Sequence, residues 1–211
     1  MNGNTLREEI VAAEWDMFQA VHNKGGRAAC QDDHATFYAM RMAQFEAWSD
    51  EAAESYLVDL REAGRADRNL VAEKYLNMMK NTHPAEYEAQ KQLLPFISEE
   101  KLTLANGICE EMVTETVRLH EKFPRVARTG RPLFSDEDED GVTSIQTYLL
   151  GELLTYSERT LRLLQKHILV LKAKGESLAE EMTARSVCSG GFSSLEEAEA
   201  FLTAREGTEK R

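Results

Sequence analysis

The stretch GGRAACQDDHATFYAMRMAQFEAW, residues 25–48, places glycines, a cysteine and two aspartates directly before an aromatic-rich segment. Its large apolar residues recur at the spacing of one helix face: Phe37, Met40, Phe45 and Trp48. This periodicity predicts an amphipathic helix from about Asp33 to Trp48. Because Arg41 and Gln44 fall inside its apolar face, the stretch predicts a helical protein with polar groups in its interior.

Helix-start and helix-stop signals recur on both sides of this stretch, and no segment shows the alternation of a strand. They predict helices at about residues 5–22, 33–48, 50–63, 69–81, 84–94 and 98–123. They also predict one helix from Thr143 past Val170, one that begins shortly after Gly175, and a last one from Ser194. Thr143 with Gln146 has the spacing of a capping box. The prediction is an all-α, single-domain bundle of about seven to nine helices with a short appended C-terminal helix.

The C-terminal residues form a unit of their own in this prediction. SGGFSS, residues 189–194, has the composition of a flexible joint. It divides a helical domain, residues 1–188, from a joint and final helix, residues 189–211. A helix of about two turns is marginal in water, so it needs a surface to pack on. A groove on its own domain is favoured over the equivalent groove of a second chain, which leaves a homodimer as the alternative.

The overall charge limits the classes of partner. With a formal net charge of -12, the chain lacks the basic face that would neutralise nucleic-acid phosphates or anionic lipids. The N-terminal residues contain no basic segment followed by an apolar run, and no window is apolar enough for a membrane span. Cysteines occur at three widely spaced positions, Cys30, Cys109 and Cys188. This usage is typical of reduced thiols and predicts a cytoplasmic protein.

Five motifs in fixed order carry a resemblance. EWDMF, GGRAACQDD, TFYAMR, NLVAEKYLNMM and TYLLGELLTYS span most of residues 10–171. In this order they resemble a bacterial family of unknown function. The resemblance implies that these segments are the family signature, but it supplies no catalytic residue. The function has to be argued from the residues themselves.

Four predicted helices each direct one charged side chain towards the interior: Glu14, Arg41, Lys74 and Glu152. A helix advances about 100° per residue, and each of these residues lies on or beside the apolar arc of its helix. Glu73, next to Lys74, is expected to project outward. A buried, unpaired carboxylate is costly, so the acidic members should be paired or have a raised pKa. Two interpretations stay open: a structural salt-bridge network, and a polar pocket.

The loop before the second helix offers one further candidate. Cys30 precedes a helix N-terminus, where amide dipoles and nearby Arg27 favour a thiolate, whereas Asp32 and Asp33 disfavour it. A small residue packed under the loop is the simpler interpretation of Cys30. Gly25 and Gly26 are expected to end the first helix, because no Lys-Ser or Lys-Thr ending of a nucleotide-binding loop follows them.

The sequence supports two functions from different classes. In the first, an enzyme acts on a small polar or anionic metabolite by acid–base chemistry without a metal or cofactor. Glu14 or Glu152 would transfer the proton, with Cys30 as a further catalytic candidate. The predicted substrate-binding residues are Arg41, Gln44, Lys74, Tyr75, Arg131 and Tyr156, with Arg131 on a lid loop. In the second, a helical interaction or scaffold module uses its buried charges only to fix helix register.

Overall fold

The computed structural model describes residues 3–22, 26–139 and 141–209. Within these ranges the chain forms eleven α-helices: α1 (Gly3–Gln19), α2 (His34–Glu46), α3 (Asp50–Arg65), α4 (Leu70–Thr82), α5 (Pro84–Gln90), α6 (Glu99–Lys122), α7 (Pro124–Ala127), α8 (Ile145–Leu153), α9 (Glu158–Lys174), α10 (Leu178–Ser189) and α11 (Leu195–Glu209). An isolated bridge joins Glu139 and Val142, and the same ranges contain no strand. The predicted all-α class is confirmed.

Most helix starts were correctly predicted, because side-chain caps mark them in the sequence. Asp33, Ser49, Asn69 and Ser98 each accept a hydrogen bond from the backbone N–H three residues later, at 2.9–3.3 Å. Such a bond satisfies one of the amide groups that a helix leaves free at its N-terminus. These caps fix where α2, α3, α4 and α6 begin.

The segment after Thr143 differs from its prediction, because it forms two helices instead of one. Ser144, not Thr143, caps α8 by accepting a hydrogen bond from the amide of Thr147 at 3.1 Å. The chain then turns after Leu153, and Ser157 caps α9 by accepting from the amide of Thr160 at 3.2 Å. The second cap separates the two helices and changes the chain direction, so α8 packs against α4 and α9 packs against α3, while both contact α6. This break and the short helix α7 raise the helix count above the predicted number.

The core is built around two long helices. α1 packs against α2, α3 and α4, while α6 packs against α8, α9 and α10. The side chains at the centre of this packing are almost fully buried: Ile10, Phe45, Leu60, Ile108, Leu161 and Ile168. α4 also packs against α8, which brings the C-terminal half of the chain onto the N-terminal half. Among the helices described, none combines the length and apolarity that crossing a membrane would require.

The C-terminal helix packs against the region where α6 ends and α7 begins. Leu195 and Ala198 of α11 are buried against Leu119, Phe123 and Val126, forming a second, smaller apolar cluster. α11 is longer than the two turns predicted. The Glu199 carboxylate accepts hydrogen bonds from the backbone amides of α7, at 2.8 Å from Arg125 N and 3.0 Å from Val126 N.

The loop between α1 and α2 is a helix junction, in agreement with the simpler prediction. The Gln31 side chain is buried and donates to the carbonyl oxygens of Phe18 and Val21, at 2.9 and 3.0 Å. These carbonyls lie at the end of α1, so Gln31 closes that helix. α1 ends at Gln19, so Gly26, with a φ of 86°, turns the loop and, contrary to the prediction, does not end the helix, whereas Gly25 lies outside the described residues.

Candidate functional site

The four inward charges meet in one cluster. Glu14, Arg41, Lys74 and Glu152 are all buried, with relative exposures of 2–8%. They come from α1, α2, α4 and α8 respectively. Two acidic and two basic side chains make the cluster formally neutral, as a buried network requires. The predicted buried salt-bridge network is confirmed.

Arg41 is the centre of this cluster. Its Nε and Nη2 atoms each lie 2.6 Å from an oxygen of Glu14. Nη2 also donates to Glu152 Oε1 at 2.9 Å, and Nη1 donates to Gln44 Oε1 at 2.8 Å and to Glu152 Oε2 at 3.3 Å. A guanidinium has five N–H donors, and all five therefore have acceptors within the protein. Arg41 clamps the protein's own carboxylates, which leaves it no free donor for the substrate anion predicted from the sequence.

Glu152 is held in its charged form by two cations. Burial alone would raise its pKa, but the charges of Arg41 and Lys74 outweigh burial and hold the pKa well below the usual range. Lys74 Nζ donates to Glu152 Oε2. The expectation of a raised pKa is wrong for Glu152, because the apolar arc that would raise it also contains these two cations.

Two tyrosine hydroxyls complete the hydrogen bonding of the acids. Tyr56 on α3 donates to Glu14 Oε1 at 2.7 Å, and Tyr156 donates to Glu152 Oε1 at 2.5 Å. Gln44 Nε2 donates to the same Glu152 oxygen at 2.7 Å. Burial, followed by the neighbouring carboxylates, raises the pKa of both phenols well above the usual value. Both tyrosines therefore stay neutral donors at physiological pH.

A glycine lets α8 approach α4 closely enough for this pairing. A Cβ atom placed on Gly151 would lie 2.8 Å from Met78 Cγ and 3.1 Å from the carbonyl oxygen of Lys74. Asn77 Nδ2 donates to the carbonyl oxygen of Gly151 at 3.4 Å across the same contact. The absent side chain at position 151 therefore allows the neighbouring Glu152 to reach Lys74.

The cluster borders one small cavity. Its volume is about 30 Å³, and its lining includes all four charges together with Phe37, Tyr56, Leu70, Val71, Tyr75, Tyr148 and Thr155. Tyr75 and Tyr148 are only partly buried. In the part of the chain that the structure describes, neither of these two hydroxyls has a hydrogen-bond partner. The cavity lining therefore combines fully bonded side chains, such as Arg41, with two tyrosine hydroxyls that have no partner among the described residues.

Lys74 and Arg131 both contact Tyr148. Lys74 Nζ lies 3.5 Å from the centre of the Tyr148 ring, and the Arg131 guanidinium carbon lies 5.0 Å from it. Arg131 is exposed, and its Nη1 donates to the carbonyl oxygen of Thr143 at 3.1 Å. Asp138 anchors the same loop to α8 by accepting from Ser144 N at 2.6 Å. Arg131 thus lies against Tyr148, which lines the cavity, but is not itself one of the lining residues.

Cys30, the remaining sequence candidate, does not join this group. It lies in a 3-10 turn, residues Ala29–Asp32, and its side chain is exposed instead of packed under the loop. It is not among the residues that line the cavity. Cys30 therefore lies outside the charge cluster, although it is close enough to Tyr75 to contribute to the raised pKa of that phenol.

Three buried or half-buried residues were missed by sequence reasoning. Tyr148 lies four residues before Glu152, and this i,i+4 spacing could have placed it on the same helix face. Tyr56 carried no such signal, because an aromatic residue on an apolar face is the usual core pattern. Glu73 was predicted to project outward but is buried, with its oxygens 2.6 and 2.7 Å from the Arg68 guanidinium. The partner lies in the turn before α4, outside the helix on which the prediction was based.

Comparisons with known proteins identify a family but no activity. A family model described as "protein of unknown function (DUF4125)" matches residues 4–200. Searches of curated proteins and of solved structures found no match. Among the residues described, no three His, Cys, Asp or Glu side chains are grouped as a metal site would require.

Proposed function

The chain belongs to the DUF4125 family, and from the site geometry we propose that it binds a small metabolite with an anionic or carbonyl acceptor group. The ligand lies at the edge of the cavity and contacts Lys74, Tyr75 and Tyr148. The observation that carries this proposal is the contrast within the cavity lining. The guanidinium of Arg41 and the hydroxyls of Tyr56 and Tyr156 are bonded to protein acceptors. In contrast, the hydroxyls of Tyr75 and Tyr148 have no hydrogen-bond partner among the described residues.

The charge at the cavity edge favours an acceptor group on the ligand. Lys74 has three N–H donors, and one of them is bonded to Glu152. Arg131 adds a second positive charge beside Tyr148. Together with the hydroxyls of Tyr75 and Tyr148, these two cations form a set of hydrogen-bond donors close to the Tyr148 ring. A carboxylate, phosphate or carbonyl oxygen matches that set better than an ammonium group does.

The volume of the cavity limits how much of the ligand enters it. Small-molecule sites usually enclose several hundred Å³, whereas this cavity has about 30 Å³. That space holds one small head group or a water molecule. The body of the ligand therefore stays outside, against Tyr75, Tyr148 and the loop that carries Arg131.

Acid–base catalysis is the weaker part of the sequence-based hypothesis. A carboxylate with a lowered pKa is a poor proton donor near neutral pH, and Glu152 is also bonded by Lys74, Gln44 and Tyr156. Our proposal is therefore restricted to binding. The reduced-thiol pattern of the cysteines supports a cytoplasmic location, and we include that location in the proposal.

The second candidate is a helical interaction module whose charge cluster is purely structural. The full use of the Arg41 donors favours it, because the guanidinium at the centre of the cluster needs no ligand to complete its hydrogen bonds. In this case the cavity holds only water. The two candidates differ in whether the phenols at the cavity edge contribute to binding.

Calorimetric titration of the full chain tests the proposal. The probes are acetate, succinate and inorganic phosphate, with ethylammonium as the probe of opposite charge. We expect binding of at least one anion and none of ethylammonium. Tyr75→Phe and Tyr148→Phe each remove one hydroxyl and should weaken binding by roughly tenfold, since a hydrogen bond to a charged group is worth about 1.5–3 kcal/mol.

Tyr87→Phe is the matched control, because Tyr87 lies on α5 and is not part of the cavity lining. It should bind like the wild type. If none of the anions binds, or if binding survives in the Tyr75→Phe/Tyr148→Phe double variant, the interaction-module candidate replaces this proposal. Thermal melting of each variant verifies that the fold is intact.

A further inference from the structure

A second site of interest lies on another face of the molecule, between α3 and α9. A cleft of about 490 Å³ is lined by Glu51, Glu54, Ser55, Val58, Arg159, Arg162 and Leu163. The two helices are antiparallel there: Ser55 Oγ lies 2.8 Å from Thr160 Oγ1, and farther along the pair His167 Nε2 lies 2.8 Å from the carbonyl oxygen of Ala47. The cleft thus runs lengthwise between two helices that lie side by side.

The two sides of this cleft have opposite charge. Glu51 and Glu54 form an acidic side on α3, and Arg159 and Arg162 form a basic side on α9. Arg162 is bonded to Glu100 and lies 3.3 Å from Glu158. Within the described ranges, no ion pair involves Glu51, Glu54 or Arg159. Three of the four charged groups are therefore available to an external partner.

The floor of the cleft contains two apolar side chains that are not fully buried. Val58 is 43% exposed, and Leu163 is half-buried. Ser55, a buried polar residue at the floor, is already bonded to Thr160. The cleft therefore offers a partner an apolar strip between two charged edges, and no buried donor directed at a small ligand.

We infer that the α3/α9 face is the contact between two copies of this chain. A twofold axis that runs along the cleft turns the face over and exchanges its two edges. It therefore places the acidic α3 edge of one copy opposite the basic α9 edge of the other, and the same pairing occurs twice. An axis across the cleft would instead oppose like charges. The charge pattern thus selects both the partner and the orientation.

Light scattering coupled to size exclusion tests the inference on the full chain. One chain has a mass of 23.9 kDa, and the dimer has twice that mass. The measurement uses about 0.15 M salt, because the Debye length of about 8 Å then limits repulsion between two chains of net charge -12. We expect the dimer to form as the protein concentration rises, and a monomer at all concentrations would overturn the inference.

Charge-reversal variants test whether the dimer forms through the α3/α9 face. Arg159→Glu/Arg162→Glu should weaken the dimer by roughly 100-fold, since like charges then face each other. Glu51→Lys/Glu54→Lys should have the same effect, and mixing the two variants should restore a dimer that contains one copy of each. Lys80→Glu/Arg118→Glu changes the net charge by the same amount as the arginine reversal, at exposed positions away from the cleft, and should leave the dimer unchanged.

A dimer that persists in either reversed variant uses a different surface, and failure of the mixture to recover shows that the charges do not pair across the interface. Circular dichroism verifies that each variant is folded before mixing. The anion titration at Tyr75 and Tyr148 does not depend on this face, so the two proposals can fail separately.

Discussion

Glu152 in the charge cluster and Glu199 on α11 are both carboxylates largely shielded from water, but they are compensated differently. Glu152 is bonded to side chains from α2 and α4 that carry full charges. Glu199 accepts short hydrogen bonds from the backbone amides of Arg125 and Val126, at the N-terminus of α7, and has a guanidinium only at 3.7 Å, that of Arg125. Glu115 follows the second pattern, because it accepts from Ala179 N at 3.1 Å at the start of α10.

The two types of carboxylate differ in how much stability is lost when the acid is removed. A helix terminus whose acid is lost still has its amides close to water, so the cost is local. A buried cation whose acid is lost stays charged among apolar side chains, and that cost is much larger. The cluster therefore joins helices that are distant in sequence, whereas Glu199 and Glu115 each fix one helix end.

Removal of the central cation should have the largest effect. Arg41→Ala leaves Glu14 and Glu152 as buried carboxylates facing each other across a gap, so we expect the free energy of unfolding to fall by about 3–5 kcal/mol. Urea denaturation measures this change. Adding Glu14→Gln to the variant should recover part of the loss, and a loss below about 1 kcal/mol for Arg41→Ala would show that the cluster does not stabilise the fold.

Removal of the C-terminal helix should have the next largest effect. Truncation after Ser189 uncovers Leu119, Phe123 and Val126 and should lower the free energy of unfolding by about 2–3 kcal/mol, comparable to exposing one large apolar side chain. Denaturant melts of the truncated and full-length chains measure it. Far-UV circular dichroism should show that the remaining helices stay folded, and unchanged stability would mean that α11 contributes nothing to the second cluster.

A single carboxylate at a helix end should matter less. Glu199→Ala removes the acceptor of two α7 amides, and we expect a loss of about 2 kcal/mol by chemical denaturation. Glu199→Gln keeps an oxygen acceptor and should lose less. Glu121→Ala, which removes a carboxylate from an exposed position on α6, is the control and should not change the melt. Equal losses for Ala and Gln at position 199 would indicate that charge, not the hydrogen bond, is what the helix end requires.

The pH dependence of the free energy of unfolding should be the smallest of these effects for each pH unit. The folded-state pKa of Glu152 is lowered, so its contribution is fully present above the unfolded-state pKa of about 4.3 and is lost as pH falls towards the folded-state pKa. One such group gives a slope of at most about 1.4 kcal/mol per pH unit below that value. Unfolding measured from about pH 6 to pH 3 should show this slope in the wild type, and Glu152→Gln should show a shallower one.

The positions of the charges could be predicted from the sequence, but their chemical state could not. Helical periodicity is a local property, so it placed Glu14, Arg41, Lys74 and Glu152 on inward arcs of separate helices. Whether two cations or none would meet Glu152 depends on how those helices pack, and that determines the direction of its pKa. The same limit explains Glu73, whose partner Arg68 precedes its helix.

Helix boundaries show a related limit. Caps at Asp33, Ser49, Asn69 and Ser98 are visible in the sequence because each is followed by a clear apolar period. Ser157 is as good a cap, but it lies inside a continuous apolar period over residues 145–170, which predicts one helix. The packing of α8 on α4 and of α9 on α3 decides in favour of the break at this cap, and this preference is not local.

The close contact at Gly151 makes this position unusually intolerant of change although it contributes no functional group. A methyl group there would meet Met78 and the Lys74 carbonyl at less than ordinary contact distance, so α8 would have to move outward. That movement would lengthen the distance between Lys74 and Glu152 without altering either residue. In a screen of random substitutions, position 151 should therefore behave like a member of the charge cluster, because the size of its side chain sets the spacing between α4 and α8.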